Sequence, residues 1–334
     1  MVGVGVIGIG AMGQNHARIY SELANLVGVA DVDQQKAMAT AKRTHTKSFS
    51  NYEELLSLPE LDAVTIATPT VTHFEVAKKA MERGKHVLIE KPICNSVKEA
   101  ENLIKLAEDA GVVLSVGHIE RHNPVVIFTK DMLSKNQFGE LISISSRRVS
   151  SFPARIRDVG VILDLGIHDI DVQRYMTGSE IESIYALAGR NGKNDLTKFE
   201  ECANILLNFE NGVSGFIEVN WLTPMKVRRT SLTCSEKFVE LDYMTQSLQV
   251  SSSAPMDFEE SNLFHIPQRY DIRRMSLSLQ EPLKNEILDF LNSIKNKRKP
   301  LVTAMDGLRA IQAARAAVKS YKEKRIIDKE EFDA

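Results

Sequence analysis

The first third of the chain alternates short apolar runs, rich in β-branched residues, with longer stretches that carry apolar residues at helical spacing. The predicted strands are Val2–Ile7, Leu26–Ala30, Ala63–Ala67, His86–Ile89 and Val112–Val116, and the helices between them include Ala11–Ala24, Val71–Arg83 and Val97–Ala110. This alternation predicts a doubly wound parallel sheet. Because the strands are apolar throughout, we expect helices on both faces of the sheet.

The pattern changes after Gly117, where strands begin to follow one another directly. A helix is predicted over Ile162–Met176, but Ile181–Val250 reads as successive strands. Asn211-Gly212 lies between two of these strands and is a strong hairpin signal. We therefore predict a second domain of the α+β class, with a mainly antiparallel sheet that leaves one face open and two helices at the C-terminus.

The composition fits a globular chain of two domains. At about 150 residues per domain, 334 residues predict two, which we place at 1–120 and 121–334, with a last helix near 304–323 that could pack back on the first. The formal charge of −2, from 42 basic and 44 acidic residues, excludes a large basic surface for nucleic acid. Three cysteines without CxxC spacing, and no apolar stretch of membrane-spanning length, predict a cytoplasmic protein.

A glycine-rich turn follows the first predicted strand and opens the first helix. It reads Gly8-Ile9-Gly10-Ala11-Met12-Gly13. In that context the first glycine permits a tight turn, the second lets a pyrophosphate approach the backbone, and the third lets the helix pack on the strand. An ordinary strand-to-helix turn is the alternative. We predict a Rossmann domain in which Gly8, Gly10, Ala11, Met12 and Gly13 hold the phosphates of a dinucleotide.

An acidic residue supports the dinucleotide interpretation. Asp31 ends the second apolar run, 18 residues after Gly13, where a carboxylate can hydrogen-bond the adenosine ribose. A carboxylate there would repel the 2′-phosphate of NADP, and no arginine follows closely. We therefore predict NAD as the cofactor and regard NADP as less favoured. Both Asp31 and Asp33 could instead cap a helix.

Polar residues also follow two later strands of the predicted parallel sheet. Thr68 and Pro69 end one strand, with His73 in the helix that follows, while Glu90 and Lys91 end the next strand in front of a proline. In a doubly wound sheet the carboxyl ends of the strands face the ligand crevice. All five residues are therefore candidates for the cofactor site, although capping and surface roles remain open for the first three.

Five segments carry a resemblance to a known family. They are, in order, the glycine turn, Ala67-Thr68-Pro69 with His73, Glu90-Lys91-Pro92, Gly117-His118 leading into Arg121-His122-Asn123-Pro124, and Asp164-x-Gly166-x-His168-x-x-Asp171. Together they resemble the Gfo/Idh/MocA family of NAD(P)-dependent sugar and polyol dehydrogenases. The resemblance implies that Lys91, Asp164 and His168 are catalytic, and that Asn123 contributes to the cofactor site.

The chemistry of alcohol oxidation suits these three catalytic candidates. A base must take the hydroxyl proton while hydride leaves carbon, and an imidazole can do so at neutral pH. We assign His168 as the base, Asp164 as substrate anchor and imidazole orienter, and Lys91 as the cation that favours the alkoxide. Asp164 and His168 are four residues apart and share one face of the predicted helix. In some relatives the lysine takes the proton, and the sequence leaves both possibilities open.

Arginines in the second domain suggest a phosphorylated substrate. Within the family, the segments 117–124 and 220–224 resemble members that oxidise the 3-hydroxyl of UDP-N-acetylhexosamines. Guanidinium groups bind a diphosphate well, and the candidates are Arg155, Arg157, Arg228 and Arg229, with Arg273 and Arg274 as a further pair. With Lys91, Asp164 and His168, the first four arginines form the predicted substrate site. A free sugar or inositol is a second hypothesis, and a catalytically silent dinucleotide-binding regulator is a third.

We predict no metal site and no nucleic-acid or membrane partner. His118 and His122 are four residues apart, but no glutamate directly follows the first of them as it does in zinc proteases. The open face of the second sheet predicts a homodimer or homotetramer built through that sheet. The sequence decides neither the number of subunits nor whether NADH dissociates after turnover.

Overall fold

Two compact units make up the chain, of which the computed structural model describes residues 1–153, 159–190, 198–254 and 269–332. The first unit combines Met1–His122 with Gln280–Gln312, and the second unit combines Asn123–Leu279 with Ala313–Ala334. The first unit therefore combines two separated stretches of the sequence. Each domain predicted from the sequence, 1–120 and 121–334, is by contrast one continuous stretch.

Nine α-helices lie within the described ranges. They are α1 (Ala11–Leu23), α2 (Gln34–Thr44), α3 (Tyr52–Leu56), α4 (His73–Glu82), α5 (Val97–Ala110), α6 (Pro124–Ser134), α7 (Ile167–Thr177), α8 (Pro282–Asn296) and α9 (Ala304–Glu323). Capping explains where α5 begins, because the Ser96 hydroxyl accepts the N–H of Glu99 while the Glu99 carboxylate accepts the N–H of Ser96. No helix in the described part of the chain is long and apolar enough to cross a bilayer.

The first unit contains a six-stranded sheet in which all neighbouring strands are parallel. Its strands are β1 (Gly3–Ile7), β2 (Asn25–Ala30), β3 (Lys47–Phe49), β4 (Ala63–Ile66), β5 (His86–Glu90) and β6 (Leu114–Gly117). The spatial order β3-β2-β1-β4-β5-β6 reverses direction at β1 and β4, where such sheets open a ligand crevice at the carboxyl ends of the strands. The predicted doubly wound parallel sheet is confirmed.

Helix α8 belongs to the core of the first unit although it lies far along the chain. Leu283, Ile287 and Phe290 recur on one helix face and pack in the same apolar cluster as Ile19 and Tyr20 of α1. Each of these three side chains is at most 4% exposed, so each contributes roughly 1.5–3 kcal/mol by leaving water. The return of the chain at residue 280 therefore completes this unit.

The second unit contains a sheet of nine strands among the described residues. Its strands are β7 (Leu141–Ser151), β8 (Ile181–Gly189), β9 (Cys202–Phe209), β10 (Ser214–Asn220), β11 (Leu222–Cys234), β12 (Phe238–Asp242), β13 (Ser247–Ala254), β14 (Arg269–Ser276) and β15 (Ile327–Asp328). The order is β14-β13-β12-β11-β7-β10-β9-β8-β15, with β7 and β10 parallel and the other neighbouring pairs antiparallel. The mainly antiparallel sheet predicted from the sequence is confirmed.

Turn chemistry and side-chain alternation fix this second sheet. The predicted hairpin joins β9 to β10 at Asn211-Gly212, where Gly212 has φ +82°, a value that favours glycine. Side chains along β9 alternate between buried and exposed, as expected for a sheet with one covered face. Helix α7 packs against β7 and β10, and α6 packs against β12. We call the face that α7 covers the α7 face, and the other the outer face.

Candidate functional site

The glycine turn between β1 and α1 has the close packing that the motif predicts. Gly8 has φ +90°, and a Cβ there would lie 2.7 Å from the backbone of Ala67. A Cβ on Gly13 would lie 1.8 Å from the carbonyl oxygen of Gly8, so only glycine lets α1 approach β1 this closely. A Cβ on Gly10, by contrast, would meet no atom of the described residues within 4 Å. The open side of Gly10 is where a phosphate could approach the backbone.

The N-terminus of α1 suits an anion. The helix begins with Ala11 and Met12, its first turn contains no acidic residue, and no side chain in the described ranges caps it. The first N–H groups of a helix point outward, and the helix dipole adds partial positive charge at that end. Together with the open side of Gly10, this end of the helix fits the pyrophosphate of a dinucleotide.

The carboxylate of Asp31 is held in place beside this turn. Oδ2 accepts a hydrogen bond from the N–H of Ile9 at 2.6 Å, and Oδ1 accepts one from the N–H of Asp33 at 2.8 Å. Asp33 instead caps α2, because its side chain accepts hydrogen bonds from the N–H groups of Gln35 and Lys36. Asp31 is therefore the acid at the end of β2 that could meet a ribose.

The ring of His73 binds the backbone on both sides. Nδ1 lies 3.0 Å from the carbonyl oxygen of Pro92, and Nε2 lies 2.9 Å from that of Thr68. Burial lowers the pKa of His73, although the two carbonyl groups and Glu90 oppose that shift. His73 thus ties the end of β4, where Thr68 precedes the exposed Pro69, to the segment after β5.

Glu90 ends β5 and Lys91 follows it, with a cis bond between Lys91 and Pro92. Oε1 of Glu90 lies 2.9 Å from Nε2 of His16. Burial raises the pKa of Glu90, but the hydrogen bond from His16 and the charges of His16 and Lys91 outweigh burial and hold that pKa below its ordinary value. Gly117 faces Glu90 across β5 and β6, where a Cβ would lie 3.2 Å from Oε2. The site therefore favours an anionic Glu90 next to Lys91 in the chain.

Asp164 and His168 lie in the second unit, where the structure departs from the single helix predicted over Ile162–Met176. Ile162–Gly166 instead forms a π turn, in which the N–H of Ile167 donates to the carbonyl of Ile162 before α7 begins. Asp164 lies within the π turn and His168 in the first turn of α7, and both are half-buried. Such π turns within helices often occur at functional sites.

Glu200 holds the start of this π turn. Its carboxylate accepts the N–H of Ile162 at 3.3 Å, and its backbone carbonyl accepts the N–H of Val161 at 3.1 Å. Gly160 leaves room for the carboxylate, because a Cβ there would lie 2.0 Å from Oε1. Burial raises the pKa of Glu200 above its ordinary value, although the hydrogen bond from Ile162 opposes the shift. Sequence reasoning missed Glu200, which belongs to no motif.

A buried ion pair fixes α7 on the sheet. Nε of Arg148 on β7 lies 2.7 Å from Oδ2 of Asp169, a second nitrogen lies 3.1 Å from Oδ1, and both side chains are at most 2% exposed. This two-bond geometry restricts rotation of the helix. Because Asp169 directly follows His168, the pair also holds the backbone next to His168. A signal existed in the sequence, since Arg148 continues the alternation of Ile144 and Ser146 along a strand.

The arginines predicted to bind substrate lie in different places. Arg228 on β11 lies directly opposite Arg148, so it shares the α7 face, whereas Arg229 lies opposite Arg147 on the outer face. Arg229 pairs there with Asp242 at 3.1 Å. Arg155 and Arg157 lie outside the described residues. Arg273 and Arg274 are on β14, three strands from β11 and about 14 Å away.

Asn123, a predicted cofactor residue, and Trp221, within the segment 220–224, serve local structure. The Asn123 side chain accepts the N–H of Val125 at the start of α6 and donates to the carbonyl of Tyr243 at 3.2 Å. Trp221 is 2% exposed and packs edge-on against Phe152 with ring centroids 5.4 Å apart, so it is a core residue. Lys91 belongs to the first unit, while Asp164, His168 and Arg228 belong to the second.

A Rossmann unit whose glycine turn leaves room for a pyrophosphate, in a chain whose second unit carries Asp164 and His168, is typical of nicotinamide-dependent dehydrogenases. Residues 2–118 match the family model described as "Oxidoreductase family, NAD-binding Rossmann fold", and residues 127–240 match the "GFO/IDH/MocA C-terminal domain". The chain belongs to the Gfo/Idh/MocA family, as the sequence motifs indicated.

Relatives with assigned activities cover nearly the whole chain. A UDP-N-acetylglucosamine 3-dehydrogenase of Acidithiobacillus ferrooxidans is 31% identical over 95% of this chain and 97% of its own length. A solved structure of that enzyme superposes with a TM-score of 0.83 at 29% identity, covering 96% of this chain and 98% of the other. A myo-inositol 2-dehydrogenase of Thermotoga maritima is 26% identical over 98% of both chains.

These findings establish the general activity. The chain is an NAD-dependent oxidoreductase that acts on the hydroxyl groups of sugars or inositols, as predicted. Its substrate is accordingly a small molecule.

Proposed function

We propose that this protein oxidises the 3-hydroxyl of a UDP-N-acetylhexosamine with NAD. The observation that carries the proposal is the 31% identity, over nearly the full length of both chains, to a relative with that named activity. The position of Arg228 supports it, because this guanidinium lies on the α7 face, the face covered by the helix that carries His168. Arginine binds diphosphate with two parallel hydrogen bonds, which a free sugar does not require.

The residues divide the chemistry as follows. NAD, when bound, accepts the hydride. The His168 imidazole takes the hydroxyl proton, Asp164 anchors the sugar and orients the imidazole, and Lys91 stabilises the developing alkoxide. Glu200 holds the start of the π turn that contains Asp164, and Arg148 holds Asp169, the residue after His168. In a second version Lys91 takes the proton and His168 holds the sugar.

A second candidate is a dehydrogenase of a free inositol or sugar. The myo-inositol 2-dehydrogenase of Thermotoga maritima supports it, because its 26% identity also extends over nearly the whole chain. The same three catalytic candidates serve either substrate. The two hypotheses differ in whether Arg228 contributes to binding.

The test compares NAD reduction with UDP-N-acetylglucosamine, N-acetylglucosamine, myo-inositol and glucose, each supplied alone. We expect turnover with the nucleotide sugar and little with the other three. Arg228→Gln should raise KM for the nucleotide sugar about 10- to 100-fold, because a hydrogen bond to a charged group is lost. Arg147→Gln is the matched control, since Arg147 is also on β7 but lies on the outer face, where it pairs with Glu218. Turnover with inositol or glucose but not with the nucleotide sugar would favour the second candidate.

We also propose that the outer face of the second sheet joins copies of this chain. Leu187 and Leu206, which lie on the neighbouring strands β8 and β9, expose 58% and 52% of their surface. Exposed apolar side chains grouped on one sheet face are typical of an interface. Light scattering coupled to size-exclusion chromatography should give the mass of a dimer or tetramer, and a monomeric mass at micromolar concentration would contradict the proposal.

A further inference from the structure

Glu286 is a buried acid outside the candidate catalytic residues. It lies on α8 in the first unit, and its side chain is 2% exposed. Neither of its carboxylate oxygens has a hydrogen-bond partner among the described residues. A buried carboxyl group without a partner is strongly unfavourable, so its presence requires an explanation.

Two other potential ligands lie beside it. Nε2 of His16 on α1 and Oε1 of Glu90 on β5 are 2.9 Å apart, and with an oxygen of Glu286 they all lie within 4.8 Å of one another. His16 is 1% exposed, and its Nδ1 also lacks a hydrogen-bond partner in the described part of the chain. The three side chains come from separate elements of one compact unit.

The two carboxyl groups of this cluster lie close together in a buried region and disfavour each other's charge. They belong to Glu90 and Glu286, and Asp289 adds to the negative potential at Glu286. Burial, with these two acids, raises the pKa of Glu286 well above its ordinary value. The other titratable groups nearby are Tyr20, which interacts with Glu286, and Lys91 and His73, which interact with Glu90. A proton alone would remove one charge but would provide no partner for either oxygen.

We propose that His16, Glu90 and Glu286 bind one divalent transition-metal ion, of which Zn²⁺ is the representative. With bonds of about 2.1 Å, any two ligand atoms of a tetrahedral ion lie about 3.4 Å apart, and water can supply a fourth ligand. The separations of 2.9 Å and up to 4.8 Å suit this arrangement after small side-chain movements. Imidazole combined with carboxylates favours zinc, cobalt or manganese over calcium or magnesium.

The role of this ion is structural. It cross-links α1, β5 and α8, and so fastens the segment Gln280–Gln312 to the rest of the first unit. It also orients Glu90, which directly precedes Lys91. This proposal departs from our prediction of no metal site, because His16, Glu90 and Glu286 match no metal-binding motif in the sequence.

The first experiment measures metal content by mass spectrometry in tag-free protein purified without chelators. We expect about one equivalent of a transition metal per chain in the wild type. Glu286→Gln keeps the shape of the side chain but removes its charge, and should lower the retained metal about tenfold or more. Glu22→Gln is the control, because Glu22 is a 48% exposed acid of the same unit and its loss should leave the metal content unchanged.

The second experiment titrates Co²⁺ and, separately, Zn²⁺ into chelator-treated protein. We expect visible absorption bands with Co²⁺, and a rise in the unfolding temperature with either ion in the wild type and in Glu22→Gln but not in Glu286→Gln. Equal metal in the wild type and Glu286→Gln would mean an adventitious ion only and would overturn the proposal. A wild type that takes up neither ion would also overturn the proposal, because the cluster would then hold a proton instead of a metal.

Discussion

The two units position their candidate site residues by different means. In the first unit, backbone geometry dominates: Gly8 and Gly13 let β1 and α1 come close, and N–H groups of the chain hold Asp31. In the second unit, buried side chains dominate, since Glu200 anchors the π turn and Arg148 anchors Asp169 beside His168. A backbone turn of this kind appears in the sequence as a short motif. The buried side chains that hold α7 and the π turn come from distant parts of the chain and form no motif.

The largest expected effect separates catalysis from cofactor binding. His168→Ala should lower kcat by about two to four orders of magnitude, because a general base is removed, while NAD binding by the first unit stays within a few-fold of the wild type. Steady-state kinetics and NAD titration by calorimetry measure the two quantities. Retention of more than a tenth of the wild-type kcat would assign the proton to another group, with Lys91 as the alternative.

Loss of the buried ion pair between Arg148 and Asp169 in the second unit should lower the free energy of unfolding by about 3–5 kcal/mol. Asp169→Asn removes the negative charge that lies 2.7 Å from the buried Arg148 guanidinium. The matched control is Glu218→Gln, whose partner Arg147 is 57% exposed, so that its loss should cost about 1 kcal/mol or less. Urea unfolding of both variants measures the difference, and equal costs would show that burial of the pair is unimportant.

Substitutions in the glycine turn should have a smaller effect on stability. We expect this effect to differ between Gly13 and Gly10. Gly13→Ala forces a Cβ against the Gly8 carbonyl oxygen and should cost about 1–3 kcal/mol. Gly10→Ala meets open space in the free protein, so it should leave stability nearly unchanged and weaken NAD binding instead. Thermal unfolding with and without NAD distinguishes these outcomes. A Gly10→Ala variant with normal NAD affinity would contradict the placement of the pyrophosphate.

The smallest effect is a pH dependence at Glu200. Because burial raises its pKa in the folded protein, the folded state holds the proton more tightly than the unfolded state. Stability of the wild type should therefore fall relative to Glu200→Gln as pH rises from about 4.3, the ordinary glutamate value, through the raised pKa. Urea unfolding at pH 4 and pH 7 measures this change. A constant difference between the two proteins would contradict the raised pKa.

Much of the first unit could be predicted because its signals are local. Continuous apolar strands, the glycine turn and Asp31 at the end of β2 each depend on neighbours in sequence. The membership of α8 could not be predicted in this way, since its apolar face fits any core and gives no indication of which unit it covers.

The second unit was harder to predict from sequence. The spacing of Asp164 and His168 predicts one α-helix. No nearby residue indicates the π turn, which Glu200 stabilises from a distant part of the chain. Because Arg228 and Arg229 are adjacent in sequence, we predicted that they bind substrate together. Successive residues of a strand point to opposite faces, so the two side chains lie on different faces of the sheet. Their exact neighbours also depend on an irregular register between Leu222 and Val227, which no pattern in the sequence shows.

The split construction of the first unit has a consequence for biosynthesis. Its α8 segment emerges from the ribosome only after the roughly 150 residues of Asn123–Leu279 have been made, which takes about 10–30 s at ordinary rates of translation. During that interval the apolar surface of α1 around Ile19 and Tyr20 lacks the cover that α8 provides in the finished unit. The protein must therefore tolerate an unfinished dinucleotide-binding unit during synthesis, a period in which chaperones could bind that surface.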